Sequence, residues 1–336
     1  RSKFSMKKIM FMLVAVAAMA SSCTQSDVIG LSNVEIRVSA GITSAVSPST
    51  RAVLEGMINS GFTTDLDVSF ARADEGSSGY TTYGAAALIG TVAHAADALS
   101  FAPAEYYLVS GKKTKLIGWY PRRSGVSYTQ GTRVVDFGEI DGKTDLMATV
   151  LYEGSKGTKI SSITFNHLLT QFSIKVYAPD AAAQGLWGTV SSIKIAEKKQ
   201  TCTITLPAAT ETANTAAAPT FTGNSDLDLV NTDLTTSPAS TINYPLTLGV
   251  GTAANAAQAG YAMFAPQTAG NVVLKIELSS GVTQTVNVPV PTTPTPAGFL
   301  HGHAYEITLK FSSSAITPTV SVVDWVPVTN TPEVEI

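Results

Sequence analysis

Val34-Glu35-Ile36-Arg37-Val38-Ser39-Ala40-Gly41-Ile42 alternates apolar residues with polar or small ones without a break. Side chains of an extended chain point to its two faces in turn, so Val34, Ile36, Val38, Ala40 and Ile42 share one face. The stretch predicts a strand with one buried side, and that side needs a partner surface elsewhere in the chain.

Downstream, further strands are predicted at residues 66–71, 99–109, 115–120, 132–137, 146–152 and 160–177, separated by Gly, Ser, Asn and Asp clusters such as Glu75-Gly76-Ser77-Ser78-Gly79. With the first, that makes about seven strands, enough for one sandwich. Pro179 to Gly185 interrupts the pattern with an Ala triplet, either as a domain junction or as a short helical turn. A second set follows at residues 190–196, 202–206, 242–248, 261–265, 272–278, 283–290, 304–311 and 319–328. The Ala/Thr-rich segment 208–219 and the Pro/Thr-rich segment 289–296 are expected to be mobile, solvent-facing connectors. Short strands without amphipathic helices between them indicate sandwiches. Composition agrees: 336 residues exceed one ordinary domain, and only 14% are charged while 44% are hydrophobic.

Upstream, Met6 reads as a translation start with Arg1 to Ser5 before it; Lys7 and Lys8 precede the apolar run Ile9 to Ala20, and Ala20-Ser21-Ser22 lead to Cys23. A basic start, a short apolar core and small residues describe a secretory signal over residues 1–22, too short to span a membrane. Small residues before Cys23 resemble a bacterial lipobox, with Ala20 where Leu is usual, and imply lipid on that thiol; the competing reading is ordinary cleavage near Ala20. A lipid would then be the only membrane tether. Residues 1–22 hold four of the 22 basic residues and none of the 25 acidic ones, so the remainder carries 18 against 25, a formal charge of −7. That balance argues against nucleic acid or an anionic membrane surface as a partner. The other cysteine, Cys202, reads as a buried free thiol.

No chemistry emerges from the motifs. His94, His167, His301 and His303 lack metal-ligand spacing, and no nucleophile elbow, phosphate loop or dinucleotide fingerprint occurs. No catalytic residue, metal or cofactor is expected. Tyr80 and Tyr83, in the loop Gly76 to Gly84, are candidates for stacking on sugar rings, and Trp119, Trp187 and Trp325 for packing.

Taken in order, the lipobox at Cys23, Thr50-Arg51-Ala52, Ile117-Gly118-Trp119-Tyr120-Pro121, Thr144-Asp145-Leu146-Met147-Ala148, Phe165-Asn166-His167-Leu168, Ala262-Met263-Phe264-Ala265-Pro266-Gln267, Gly302-His303-Ala304-Tyr305-Glu306-Ile307-Thr308-Leu309 and Val323-Asp324-Trp325 resemble the fimbrillin family of Bacteroidia, the subunits of type V pili. The resemblance implies an all-β chain of two transthyretin-like β-sandwich domains in tandem, residues 52–178 and 179–336, behind a lipidated propeptide, residues 23–51, that contains the first strand. It implies a non-enzymatic, adhesive pilus subunit that reaches the outer membrane as a lipoprotein and then the cell-surface pilus. Its partners would be other pilus subunits, the membrane through the precursor's lipid, and an Arg-specific protease cutting between Arg51 and Ala52. The sequence Thr24-Gln25-Ser26-Asp27 after Cys23 lacks the acidic run often seen in surface-exported lipoproteins of these bacteria.

Cutting there would free Val34, Ile36, Val38, Ala40 and Ile42 and leave a groove to be filled. At the other end Val326, Val328, Val334 and Ile336 share a parity, with Glu333 and Glu335 alternating with the last two, so the tail is a candidate donor strand; Pro327 and Pro332 restrict it to edge pairing. The alternative reading is that the tail ends the last strand of its own domain. The competing functional reading is a monomeric surface lipoprotein that binds glycan or host protein through its loops.

Overall fold

The computed structural model describes residues 33–44, 54–57, 64–94, 96–234, 239–293 and 295–323. In the first half the strands are Val38–Ser44 (β1), Leu54–Met57 (β2), Leu66–Asp74 (β3), Leu88–Ala93 (β4), Ala98–Phe101 (β5), Thr114–Tyr120 (β6), Ser127–Thr129 (β7), Val134–Glu139 (β8), Met147–Thr149 (β9), Tyr152–Gly154 (β10), Ser162–His167 (β11) and Thr170–Ala178 (β12). Helix α1, Ala181–Trp187, follows, and then Thr189–Thr205 (β13), Ala218–Asp228 (β14), the short strands Thr232–Asp233 (β15), Ser240–Thr241 (β16), Leu246–Thr247 (β17) and Gly249–Val250 (β18), and finally Ala257–Phe264 (β19), Asn271–Leu278 (β20), Thr283–Pro289 (β21), Ala304–Phe311 (β22) and Ile316–Val323 (β23).

The all-β expectation holds, but the first half is a closed sheet where a sandwich was expected. Its strands run β6-β3-β4-β5-β1-β11-β9, and β9 pairs back to β6 through Trp119↔Ala148 and Tyr120↔Met147. Alternate residues fill the interior. Ile36, Val68, Phe70, Leu116, Ile163 and Phe165 are each at most 1% exposed, and Phe70 meets Phe101 and Phe165 edge to face at 5.4 and 6.0 Å. Gly118 lies under the Phe70 ring, where an added Cβ would stand 2.5 Å from a ring carbon.

The second half packs one sheet, β18-β12-β22-β23 with β19 on β12, against another, β21-β20-β13-β8-β7 with β14 and β17 on β13. Phe172, Ile174, Ile195, Leu274, Ile307 and Leu309 lie in the core between them. A separate core joins the halves, because β6 is buried on both faces: Ile117 and Trp119 point outward onto Val135, Ile204, Leu206 and Met263. The 17-residue β13 serves both, with Ile193 and Ile195 in the sandwich core and Cys202 and Ile204 in the joining core. The change from odd to even positions falls at a bulge where Glu197 has φ 60°. The two strands predicted at 190–196 and 202–206 are therefore one bent strand.

Sheet membership does not divide at residue 178. Strand β12, placed by the sequence in the first domain, pairs with β19 and β22, and β8 pairs with β13. The predicted run 160–177 is split because the chain crosses between sheets at Leu168 and Leu169, both buried, with Leu168 N–H donating to Leu146 O and Gly302 N–H to Leu169 O at 2.8 Å each. Strand 99–109 stops at Phe101, before Pro103, which has no N–H for a ladder. The run 146–152 is divided into β9 and β10. The interruption at Pro179 to Gly185 is helical: Asp180 accepts from Ala183 N–H at 2.8 Å, and Gly188, φ 71°, ends the helix.

The Ala/Thr-rich connector is anchored, contrary to expectation, and β14 begins inside it at Ala218. Lys115, with a side chain only 4% exposed, donates to Ala209 O at 3.0 Å and Glu211 O at 2.6 Å and lies 4.0 Å from the centre of the Tyr80 ring. Tyr83 donates to Pro207 O at 2.9 Å, and Asn214 N–H to Leu151 O at 2.7 Å. Lys115→Ala should cost about 2–4 kcal/mol in chemical denaturation, since it strands two carbonyls; Lys115→Met should restore packing but not the bonds.

Glu153 accepts from Lys113 at 2.6 Å and from Tyr80 at 3.2 Å. Burial pushes its carboxyl up, but the Lys113 hydrogen bond and charge, with Tyr80 and Lys115, outweigh it and hold the group below its ordinary 4.5. A depressed carboxylate contributes stability above its unfolded pKa and loses it as pH falls through the folded one. The stability gap between wild type and Glu153→Gln should be full at neutral pH and shrink as pH falls through and below the ordinary carboxylate range, as measured by thermal melting across acid pH.

Candidate functional site: the first strand and its groove

The segment 34–44 is held along both edges. On one side β1 runs parallel to β11, from Ser39↔Ser162 to Thr43↔Asn166. On the other, three segments meet it in succession. Glu35 bridges Tyr106, Val38 and Ser39 pair with Leu99 and Ala98 of β5, and Gly41 to Ser44 pair with β2. Ile36 N–H donates to Glu105 O at 2.8 Å, Tyr107 N–H to Val34 O at 2.9 Å and Ala40 N–H to Asp97 O at 2.7 Å. Regular strand begins at Val38, later than the alternation suggests, because residues 35–37 are tied only by the single bridge.

The predicted face is the buried one. Ile36, Val38, Ala40 and Ile42 are 1%, 5%, 2% and 6% exposed, and Val34 is half-buried against the same core. The groove that receives them includes Val68, Val92, Leu99, Tyr107, Ile163 and Phe165. Glu35 and Arg37 face outward and pair with each other at 2.7 Å. Area bookkeeping gives this burial an upper bound on the order of 10 kcal/mol. Among the described strands, β1 alone connects β5 with β11, so the ring opens at that seam without it.

The other predicted site residues fall differently. Cys23, Arg51, Ala52, Val326, Val328, Val334 and Ile336 lie outside the described residues; Arg51 and Ala52 belong to the connection from β1 to β2. The described chain ends on β23, an edge strand paired only with β22.

The tyrosines do not form a sugar-stacking platform: Tyr83 is 2% exposed and Tyr80 is half-buried under Lys115. Burial, with Asp136 adding to it, pushes the Cys202 thiol up to about 12 and keeps it protonated. His167 is buried with Nδ1 2.6 Å from Asp145 Oδ2, and His303 Nδ1 lies 3.0 Å from His301 O. Among the described residues no three metal-ligating side chains come together, and no helix is long and apolar enough to cross a membrane. Sequence reading missed the His167–Asp145 pair and the buried Lys115. The latter had a faint signal, a lysine directly ahead of the apolar run Leu116-Ile117-Gly118-Trp119 and within a predicted strand.

The described residues define an all-β protein, a closed sheet joined through β6 to a two-sheet sandwich. The sequence profile of the fimbrillin-like family matches residues 50–325, and the chain belongs to that family. No curated protein sequence matches it. Among solved structures, a proposed cell adhesion protein from Bacteroides uniformis is 18% identical with a TM-score of 0.53, covering 87% of this chain and 98% of its own. A second, from Bacteroides ovatus, is 16% identical with a TM-score of 0.53, covering 88% and 98%. The tip fimbrial protein Mfa3 from Porphyromonas gingivalis, truncated at its C-terminus, is 7% identical with a TM-score of 0.42, covering 88% and 100%. At these identities the first two likenesses speak for the fold alone.

Val38→Asp, placing a carboxylate in the groove, should destabilise the chain by about 3 kcal/mol or more, whereas Arg37→Ser should stay within about 0.5 kcal/mol. Thermal or urea melts of the two variants check the assigned face.

Proposed function

We propose that the protein is a structural subunit of a bacterial surface pilus, serving adhesion. It is exported as a lipoprotein through Cys23, cut between Arg51 and Ala52, and joined to its neighbours by strand exchange. The observation that carries this reading is the dependence of the closed sheet on β1, with Arg51 in the connection that immediately follows it. A cut there severs β1 from the chain that builds every other strand of the ring. Departure of the segment bares an apolar groove between β5 and β11 and leaves ladder groups unpaired along both, which favours a replacement strand. Residues 326–336 of another subunit are the candidate replacement, and β23, from which they continue, already lies at a sheet edge. Membership of the fimbrillin-like family supports the subunit role and a place at the cell surface.

Arg51→Ala should give a stable precursor that does not polymerise, and removal of residues 329–336 should give a folded, cleaved subunit that accepts but does not donate. Electron microscopy and gel ladders of surface material read both. Polymers of wild-type length from both variants would overturn the assignment of these segments.

A further inference from the structure

Two side chains cross the groove of residues 34–44 without using any residue of that segment. The groove has β5 and the chain after it as one wall, and β11 and the chain just ahead of it as the other. The first crossing is Tyr107. Its N–H, on the β5 side, donates to Val34 O at 2.9 Å, while its hydroxyl oxygen accepts from Ile160 N–H, on the β11 side, at 2.8 Å. It is 2% exposed and shares a core with Ile36 and Val38. The second crossing is Phe70 of β3, which stands three strands from β1 by way of β4 and β5. Its ring meets Phe101 of β5 and Phe165 of β11 edge to face, at 5.4 and 6.0 Å, so one side chain touches both walls. Gly118 of β6 backs that ring, where even an added Cβ would stand 2.5 Å from a ring carbon.

A groove that loses its strand has two ways to satisfy itself: it can take another strand, or its walls can close by one strand spacing, about 4.8 Å, and pair with each other. The second route would hide the site. Here it is obstructed, because Phe101 and Phe165 already touch Phe70 at ordinary edge-to-face distance and cannot close further while that ring is wedged on Gly118. Closure would also pull Tyr107 from Ile160 and leave a buried N–H without its acceptor.

We propose that Phe70 and Tyr107 are positioning residues that hold the walls one strand apart after residues 34–44 leave, so that the cut subunit presents a preformed slot to an incoming strand. The proposal rests on the reading of residues 34–44 as the exchangeable strand. The slot recognises an extended backbone from both sides: Glu105 O, Asp97 O and Tyr107 N–H line one wall and Ser161 O the other, and all four bond the segment in the uncut chain. Association then needs no prior rearrangement of the acceptor, which favours a fast on-rate.

Ala98 and Ser162 give a direct gauge of slot width, since both pair with Ser39, one from each wall, and both are exposed. The full chain carrying Ala98→Cys and Ser162→Cys is cut after Arg51 by an arginine-specific protease, freed of its N-terminal fragment and labelled with nitroxides. Cys202 is 0% exposed and stays unlabelled. Electron paramagnetic resonance is recorded on the empty chain and again after adding a synthetic peptide of residues 33–44. The label separation should differ between the two by less than half a strand spacing, about 2.4 Å. Labels closer in the empty chain by a full spacing, about 4.8 Å, overturn the proposal. In a second arm, Tyr107→Phe keeps the ring and loses only the bond to Ile160. The peptide should associate with this variant at least ~5-fold more slowly, with its dissociation rate changed less than ~2-fold. An unchanged association rate with faster dissociation would mean that Tyr107 only contacts the bound strand, and overturns its positioning role. The label separation decides the matter even if Tyr107→Phe does not fold. Retention of the fragment by the cut chain would instead contradict the exchangeable-strand reading, and the proposal with it.

Discussion

The burial of one face of residues 34–44 in the groove between β5 and β11 is the interaction on which the first half of the molecule depends. A sheet closed on itself has no free edge at the seam, and here the closing strand is contributed by the beginning of the described chain. Its side chains complete a core built otherwise from β3 to β11, and its backbone satisfies neighbours on both sides. One break in the connection after Ser44 converts an internal strand into a bound peptide, whose retention rests on contacts alone.

Away from this seam, the far side of the ring is supported from outside. Strand β6 is buried on both faces, and β13 reaches from the sandwich core to the core behind it. Lys115 ties the 209–211 segment to β6, and the buried His167–Asp145 pair joins β11 to the turn ahead of β9, where the chain crosses into the second half. Four of the segments that carried the family resemblance, 144–148, 165–168, 262–267 and 302–309, meet at or beside this joint: Leu168 N–H donates to Leu146 O, Gly302 N–H to Leu169 O, and Met263 N–H to Gly142 O.

The alternation at Val34 to Ile42 made the key strand and its buried face readable, since a period of two is a local property. The same holds for β20 and β22, found near their predicted positions. What stayed hidden was non-local. Nothing within 160–177 tells that its two parts belong to different sheets, because both are apolar and extended and the division is made by partners such as Leu146 and Gly302. The bulge at Glu197 likewise needs β8 and β14 to define it. The 208–219 segment looked solvent-facing by composition, yet its backbone carbonyls serve a cation 94 residues away in sequence. Closure of the first sheet rests on the short β9–β6 pairing, two residue pairs that no pattern announces.

The most direct measurement is a high-resolution image reconstruction of the assembled polymer, read at the strand between β5 and β11 in each subunit. The account predicts residues 326–336 of a neighbouring subunit in that place and no residues before Ala52. Finding each subunit's own residues 34–44 still lying there would contradict it.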